Sequence, residues 1–80
     1  MDENAISKLI LDCAFKVHST LGPGLLERVY QECLAFELKE IGLEVEIEKP
    51  MPLIYNQIKF DCGYRIDLLV ENKVVIELKV

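Results

Sequence analysis

The chain has no apolar run approaching the ~20 residues that a membrane span needs. Its first segment is broken by Asp2, Glu3, Lys8 and Asp12, so neither a transmembrane helix nor a secretory signal is expected. It has no C-x-x-C. Cys13, Cys33 and Cys62 are odd in number and widely spaced, the pattern of reduced thiols in a cytoplasmic protein rather than of a disulfide framework or a zinc site. Walker-type glycine loops, dinucleotide fingerprints, internal repeats and low-complexity tracts are all missing. Positive charge is short too: nine Lys and Arg against fourteen Asp and Glu leave a net charge of −5, which argues against holding nucleic acid through a broad electrostatic surface. At 80 residues one small domain is expected, with a modest core. A hydrophobic content of 51% is high for that length and suits burial against something more, either further chain or another copy.

What is present divides by period. From about residue 4 to 20, Ile6, Leu9, Ile10, Cys13, Ala14, Val17 and Leu21 recur at helical spacing, with Asn4 as N-cap. Gly22-Pro23-Gly24 stops that helix, because Pro23 has no amide hydrogen and the glycines allow turn conformations. A second helix is expected from about Leu25 to Ile41, ended by Gly42. Leu26, Val29, Tyr30, Cys33, Leu34, Leu38 and Ile41 form its buried stripe, and Arg28, Gln31, Glu32, Lys39 and Glu40 its solvated face. From Leu43 the period becomes two: Leu43, Val45 and Ile47 alternate with Glu44, Glu46 and Glu48, as in a half-buried strand with an acidic outer face. Pro50 and Pro52 deny two ladder donors and make this an edge or bent strand, continuing through Leu53-Ile54-Tyr55 to a turn at Asn56-Gln57 and a short return over Ile58-Lys59-Phe60.

The last fifteen residues carry the chemistry. Ile66, Leu68, Val70, Val74, Ile76 and Leu78 alternate, so a hairpin turning near Glu71 to Lys73 puts all six on one face as a core wall. Its other face then holds Arg65, Asp67, Leu69, Val75, Glu77 and Lys79, with Asp67 close to Glu77 across the strands. Two neighbouring carboxylates repel unless a divalent metal lies between them or one stays protonated. An Asp followed by Glu-x-Lys on adjacent antiparallel strands is what a metal-dependent phosphodiesterase needs. Hard oxygen ligands hold Mg²⁺, the metal lowers the pKa of water and polarises phosphorus, and an amine offsets the charge that builds on the phosphoryl group. The plainer reading is a strand face that is charged because it meets water.

Upstream, Gly24-x-x-Glu27-x-x-Tyr30 opens the second helix. Together with the leading helix, the Gly-Pro-Gly junction, Lys49-Pro50-Met51-Pro52 and the hairpin from Tyr64 to Lys79, it resembles the GxxExxY protein family of the PD-(D/E)XK nuclease superfamily over nearly the whole chain. The resemblance implies that Asp67, Glu77 and Lys79 are the metal-binding and catalytic trio, that Glu27 is an acid contributed from the helix before the sheet, and that Mg²⁺ or Mn²⁺ is the cofactor. Ile66 stands in the place of the proline that names the superfamily. The superfamily core continues with a helix and a strand beyond the position of Val80, so the resemblance implies a C-terminally truncated domain, inactive or weak as it stands. Glu27 reads either as a metal ligand or as a first-turn acid favoured by the helix dipole. Tyr30 reads either as a hydroxyl orienting Glu27 or a phosphate, or as a core aromatic with its hydroxyl at the surface. His18 reads as a capping or packing residue.

The expected architecture is α+β: two N-terminal helices on a mostly antiparallel three-stranded sheet, a partial restriction-endonuclease-like core. The expected function is metal-dependent hydrolysis of nucleic-acid phosphodiesters, DNA before RNA, in the cytoplasm and without a membrane partner. A non-catalytic module that mediates oligomerisation, with a vestigial acidic site, is the alternative. An exposed Val- and Ile-rich terminal strand or a bare sheet face is expected to draw two copies into a homo-oligomer.

Overall fold

The computed structural model describes residues 1–79. The first helix, α1, spans Glu3–Leu21, and its cap is Asp2, not Asn4: Asp2 Oδ1 accepts from the Ala5 amide at 2.8 Å, while Asn4 already lies inside the first turn. Gly22, at φ +73°, donates its amide to the His18 carbonyl and ends the helix in a left-handed conformation that suits glycine. Ile6, Ile10, Cys13 and Val17 form its buried stripe.

The second helix, α2, spans Glu27–Glu40, shorter at both ends than the expected Leu25 to Ile41. Leu26 is extended and serves as the N-cap, so the junction runs two residues longer. At the other end the Leu43 amide reaches back to the Leu38 carbonyl and the Gly42 amide to Lys39, closing a Schellman turn around Gly42 at φ +91°. The buried stripe is Gln31, Leu34, Ala35 and Leu38. That corrects the sequence reading in two ways: Leu26, Val29 and Ile41 are exposed, and Gln31 is buried at 5% exposure. The helix is rotated so that the smaller Ala35 meets the core, and Gln31 tolerates burial because its amide nitrogen has a partner, the Asp67 backbone carbonyl at 3.2 Å.

Three strands, β1 (Val45–Pro50), β4 (Arg65–Val70) and β5 (Val74–Ile76), form an antiparallel sheet in the order β1-β4-β5. The expected α+β arrangement of two helices on a mostly antiparallel three-stranded sheet is therefore found. Leu68 and Val70 on β4, joined by Val74, Ile76 and Leu78, face the two helices, so five of the six residues expected on the core wall form it, while Ile66 is buried outside that cluster. Leu43, Val45 and Ile47 also turn inward while Glu44, Glu46 and Glu48 are exposed. Leu69 departs from expectation. It lies on the outer face yet is buried, between its cross-strand partners Glu46 and Val75 on either side of the central strand.

β1 is an edge strand and tolerates Pro50 for that reason. It does not run on through Leu53-Ile54-Tyr55. Those residues are β2 (Leu53–Tyr55), which pairs only with β3 (Ile58–Phe60) as a separate ribbon. The break falls at Pro52, which cannot donate to a ladder, while the Met51 amide still reaches the Tyr64 carbonyl at 2.9 Å, so the ribbon continues the β1–β4 pair outward. This projection makes the chain long, 44 × 32 × 16 Å, with a radius of gyration of 14.0 Å. A compact chain of this length would have about 11.6 Å. No described helix is long and apolar enough to cross a membrane.

Candidate active site

The β4–β5 register, Leu68↔Ile76 and Val70↔Val74, sets Asp67 opposite Glu77 when carried one step further. The strand ladder stops at Ile76, and a side chain takes over: Asp67 Oδ2 accepts from the Leu78 amide at 2.7 Å. Leu78 is the residue between Glu77 and Lys79, so this one bond fixes the Glu-x-Lys segment against the Asp. Asp67 is half-buried, and Glu77 and Lys79 are exposed. A charge-assisted bond of this kind is about twice as strong as a neutral one, and it occupies one carboxylate oxygen while leaving the other.

Asp67 is held from the helix side as well. The Gln31 amide nitrogen donates to its backbone carbonyl, the only side-chain bond in the described residues that joins α2 to β4. Gln31 is the residue that sequence reasoning missed. A signal existed, because Gln31 shares a period with Leu34, Leu38 and Glu27, but its polarity assigned it to solvent. Glu27 lies one turn before Gln31 on the same side of α2, about 6 Å along the axis, and is half-buried in the first turn. It thus sits on the helix face that looks toward β4. Among the described residues no three His, Cys, Asp or Glu side chains gather as a metal-holding group.

Tyr30 is engaged at the junction. Its hydroxyl donates to the Gly22 carbonyl at 2.6 Å and accepts from the Leu25 amide at 3.1 Å, so it staples Gly22-Pro23-Gly24 across the start of α2. Beside it lies a cavity of about 510 Å³, bounded by Val17, His18, Leu25, Tyr30, Leu78 and Lys79. Beyond the ladder, therefore, Lys79 reaches the helix side and not the outer face expected for it beside Asp67 and Glu77, and it borders one space with Gly24 and Tyr30, which Glu27, Asp67 and Glu77 do not line. His18, exposed in the last turn of α1, lines the same cavity.

The outer face of the sheet is acidic. Carrying the β1–β4 register through Lys49↔Ile66 and Ile47↔Leu68 sets Glu48 opposite Asp67 on its other side, and Glu48 is the one position of that ladder left unpaired, its backbone turned to φ +50°. Carboxylates crowded on one face suit a hard divalent cation, and Mg²⁺ in particular takes only one or two carboxylates and completes its shell with water and phosphate. Asp67, with an oxygen to spare, and the exposed Glu77 fit that requirement.

No curated protein and no solved structure matches the chain. The sequence pattern of the PD-(D/E)XK nuclease superfamily matches residues 4–80, a span that takes in both helices, the sheet and the Asp67…Glu77-x-Lys79 segment. With that match over nearly its whole length, the chain belongs to the PD-(D/E)XK nuclease superfamily.

Proposed function

We propose that this domain is a divalent-metal-dependent phosphodiesterase acting on nucleic acid, built on the GxxExxY variant of the superfamily pattern. Asp67 and Glu77 are the carboxylates that hold Mg²⁺ or Mn²⁺, Lys79 faces the phosphoryl group, and Glu27 is the further acid from α2. The observation that carries the reading is the 2.7 Å bond from the Leu78 amide to Asp67, because it ties the acid on one strand to the Glu-x-Lys on the next. A bound divalent ion supplies acidified water and neutralises the phosphoryl oxygens. The chain does the positioning. Gln31 anchors Asp67 through its carbonyl, Asp67 sets the segment that bears Glu77 and Lys79, and the Lys79 ammonium offsets the negative charge that grows on phosphorus.

Calorimetric titration with Mn²⁺ and cleavage of plasmid DNA test this together. Asp67→Asn and Glu77→Gln are expected to lose Mn²⁺ binding and cleavage. Lys79→Ala is expected to keep binding while cleavage falls by about 10²- to 10³-fold, the usual loss when one charge-stabilising donor is removed. Equal Mn²⁺ affinity in the wild type and Asp67→Asn would overturn the assignment.

A further inference from the structure

The β2–β3 ribbon shares in no core. Its substantial packing is of one strand on the other, and its register, Leu53↔Phe60 and Tyr55↔Ile58, puts those four side chains on a single face. All four are exposed, Tyr55 at 65% and Ile58 at 57%. A two-stranded ribbon is marginally stable alone, and an uncovered aromatic and aliphatic face on a small domain marks a place where something binds.

Size and charge choose the occupant. Three-residue strands are about 10 Å long and adjacent strands about 4.8 Å apart, so the face measures roughly 10 Å each way. That is far below the ~800 Å² per partner of a stable protein interface, and it matches one or two stacked planar rings. The local charge is opposite to that of the chain. Residues 49–65 carry Lys49, Lys59 and Arg65 against Asp61 alone, a net +2 while the whole chain is −5, and with Lys49 paired to Glu46 at 3.1 Å the free cations of this stretch, among the described residues, are Lys59 and Arg65. Among the described residues neither Lys59 nor Arg65 has a carboxylate partner. The acidic outer face of the sheet repels phosphate, and the arm beyond it attracts it.

We propose that the β2–β3 ribbon is a stacking platform for a single-stranded stretch of nucleic acid, with bases on Tyr55 and Phe60 and phosphates beside Lys59 and Arg65. This rests on the nuclease reading and names the form of substrate it takes. Single strands are specified because only unpaired bases offer a free π-face, and stacking of this kind is tolerant of sequence. Lys59 lies opposite Ile54 on the reverse face of the ribbon, so the backbone passes along the ribbon's edge while bases turn onto the aromatic face.

Fluorescence anisotropy with a labelled oligodeoxythymidine of about 16 nucleotides, in chelator so that nothing is cleaved, tests the proposal. Tyr55→Ala and Phe60→Ala are each expected to weaken the Kd by about 5- to 100-fold. Tyr55→Phe is expected to hold it, since a phenyl ring stacks as a phenol does. Lys59→Gln is expected to flatten the log Kd against log salt slope by about 0.7. Unchanged affinity in both alanine variants, no binding by the wild type at low salt, or a duplex bound as tightly as the single strand overturns the platform. So does a dimer in sedimentation that Tyr55→Ala dissociates while the Kd stays put, because a second copy is then the occupant. Asp67→Asn separates the two readings: it is expected to bind the oligonucleotide as the wild type does and to cleave nothing. Cleavage surviving in Asp67→Asn removes the site assignment and leaves the platform, whereas an unmoved Kd in both Tyr55→Ala and Phe60→Ala with cleavage lost in Asp67→Asn does the reverse.

Discussion

Two antiparallel ribbons in this chain turn in the same way and end differently. β4–β5 turns through Glu71 and Asn72, both at φ +53°, with Lys73 as a third loop residue before Val74, and β2–β3 through Asn56 and Gln57 alone, at φ +50° and +65°. Positive φ at both central positions is the geometry that matches the twist of a tight hairpin. Yet Leu68 and Val70 on the first ribbon are fully buried under two helices, and every residue of the second is exposed. Local turn chemistry therefore decides that a ribbon forms. Helix cover decides whether its apolar face becomes a core or stays available.

The sharpest test of that contrast is a pair of truncations. Leu68→Ala is expected to cost about 2–5 kcal/mol in urea denaturation, as a fully buried Leu does, and Ile58→Ala to stay within about 0.5 kcal/mol, as exposed positions do. Equal losses would mean that the outer ribbon has a core not visible in its packing. Gln31→Ala comes next. It strips the Asp67 carbonyl of its helix-side donor and is expected to cost about 1–3 kcal/mol, while Glu32→Ala beside it, on the exposed face, is expected to leave the urea midpoint where it was. A third test acts on the outer ribbon alone. Gln57 occupies a left-handed conformation that strains a non-glycine residue, so Gln57→Gly is expected to firm the ribbon by about 1 kcal/mol. Hydrogen exchange would show this as slower exchange at Ile58 to Phe60 with the global melt unmoved, and a shifted melt would show that the two ribbons are coupled. The smallest effect is alkaline. Burial, with Glu37 nearby, pushes the Cys13 thiol above its ordinary 9.0, and a hydrogen bond to Glu37 raises Lys16 above 10.5. Both groups hold their protons more tightly when folded, so their contribution is intact below those values and declines as pH rises past 9.0. Thermal melts from pH 8 upward should show the wild type losing stability more steeply than Cys13→Ala once the pH passes 9.0, and equal slopes would remove burial of the thiol as the cause.

The covered ribbon was legible and the cover itself less so. Alternation from Ile66 to Leu78 is a period-two signal that nothing competes with, and the Leu43 to Glu48 run is as clear. The stripe of α2 was misjudged because Leu26, Val29 and Ile41 outweighed Gln31 on hydrophobicity, whereas the packing selects by the partner Gln31 finds 36 positions away, which no local pattern encodes. The strand break at Pro52 was half legible, since proline denies a donor but does not say whether the chain bends or parts. Within the site, the β4–β5 register is paired as far as Leu68↔Ile76, and Asp67 faces Glu77 only when that register is carried past the end of β5. The bond from Asp67 to the Leu78 amide was not legible, because it arises only where a ladder ends and a side chain replaces the next rung.

That replaced rung changes what a substitution at Asp67 measures. The carboxylate is at once a charge facing the acidic surface and a structural acceptor for the strand that follows, so Asp67→Ala would release Leu78 and shift Glu77 and Lys79 with it, and a dead variant would say nothing about which loss killed it. Asp67→Asn keeps an oxygen for the Leu78 amide and removes only the charge. The difference between those two variants is then the free energy of geometry, separated from that of electrostatics, in a site where one carboxylate supplies both.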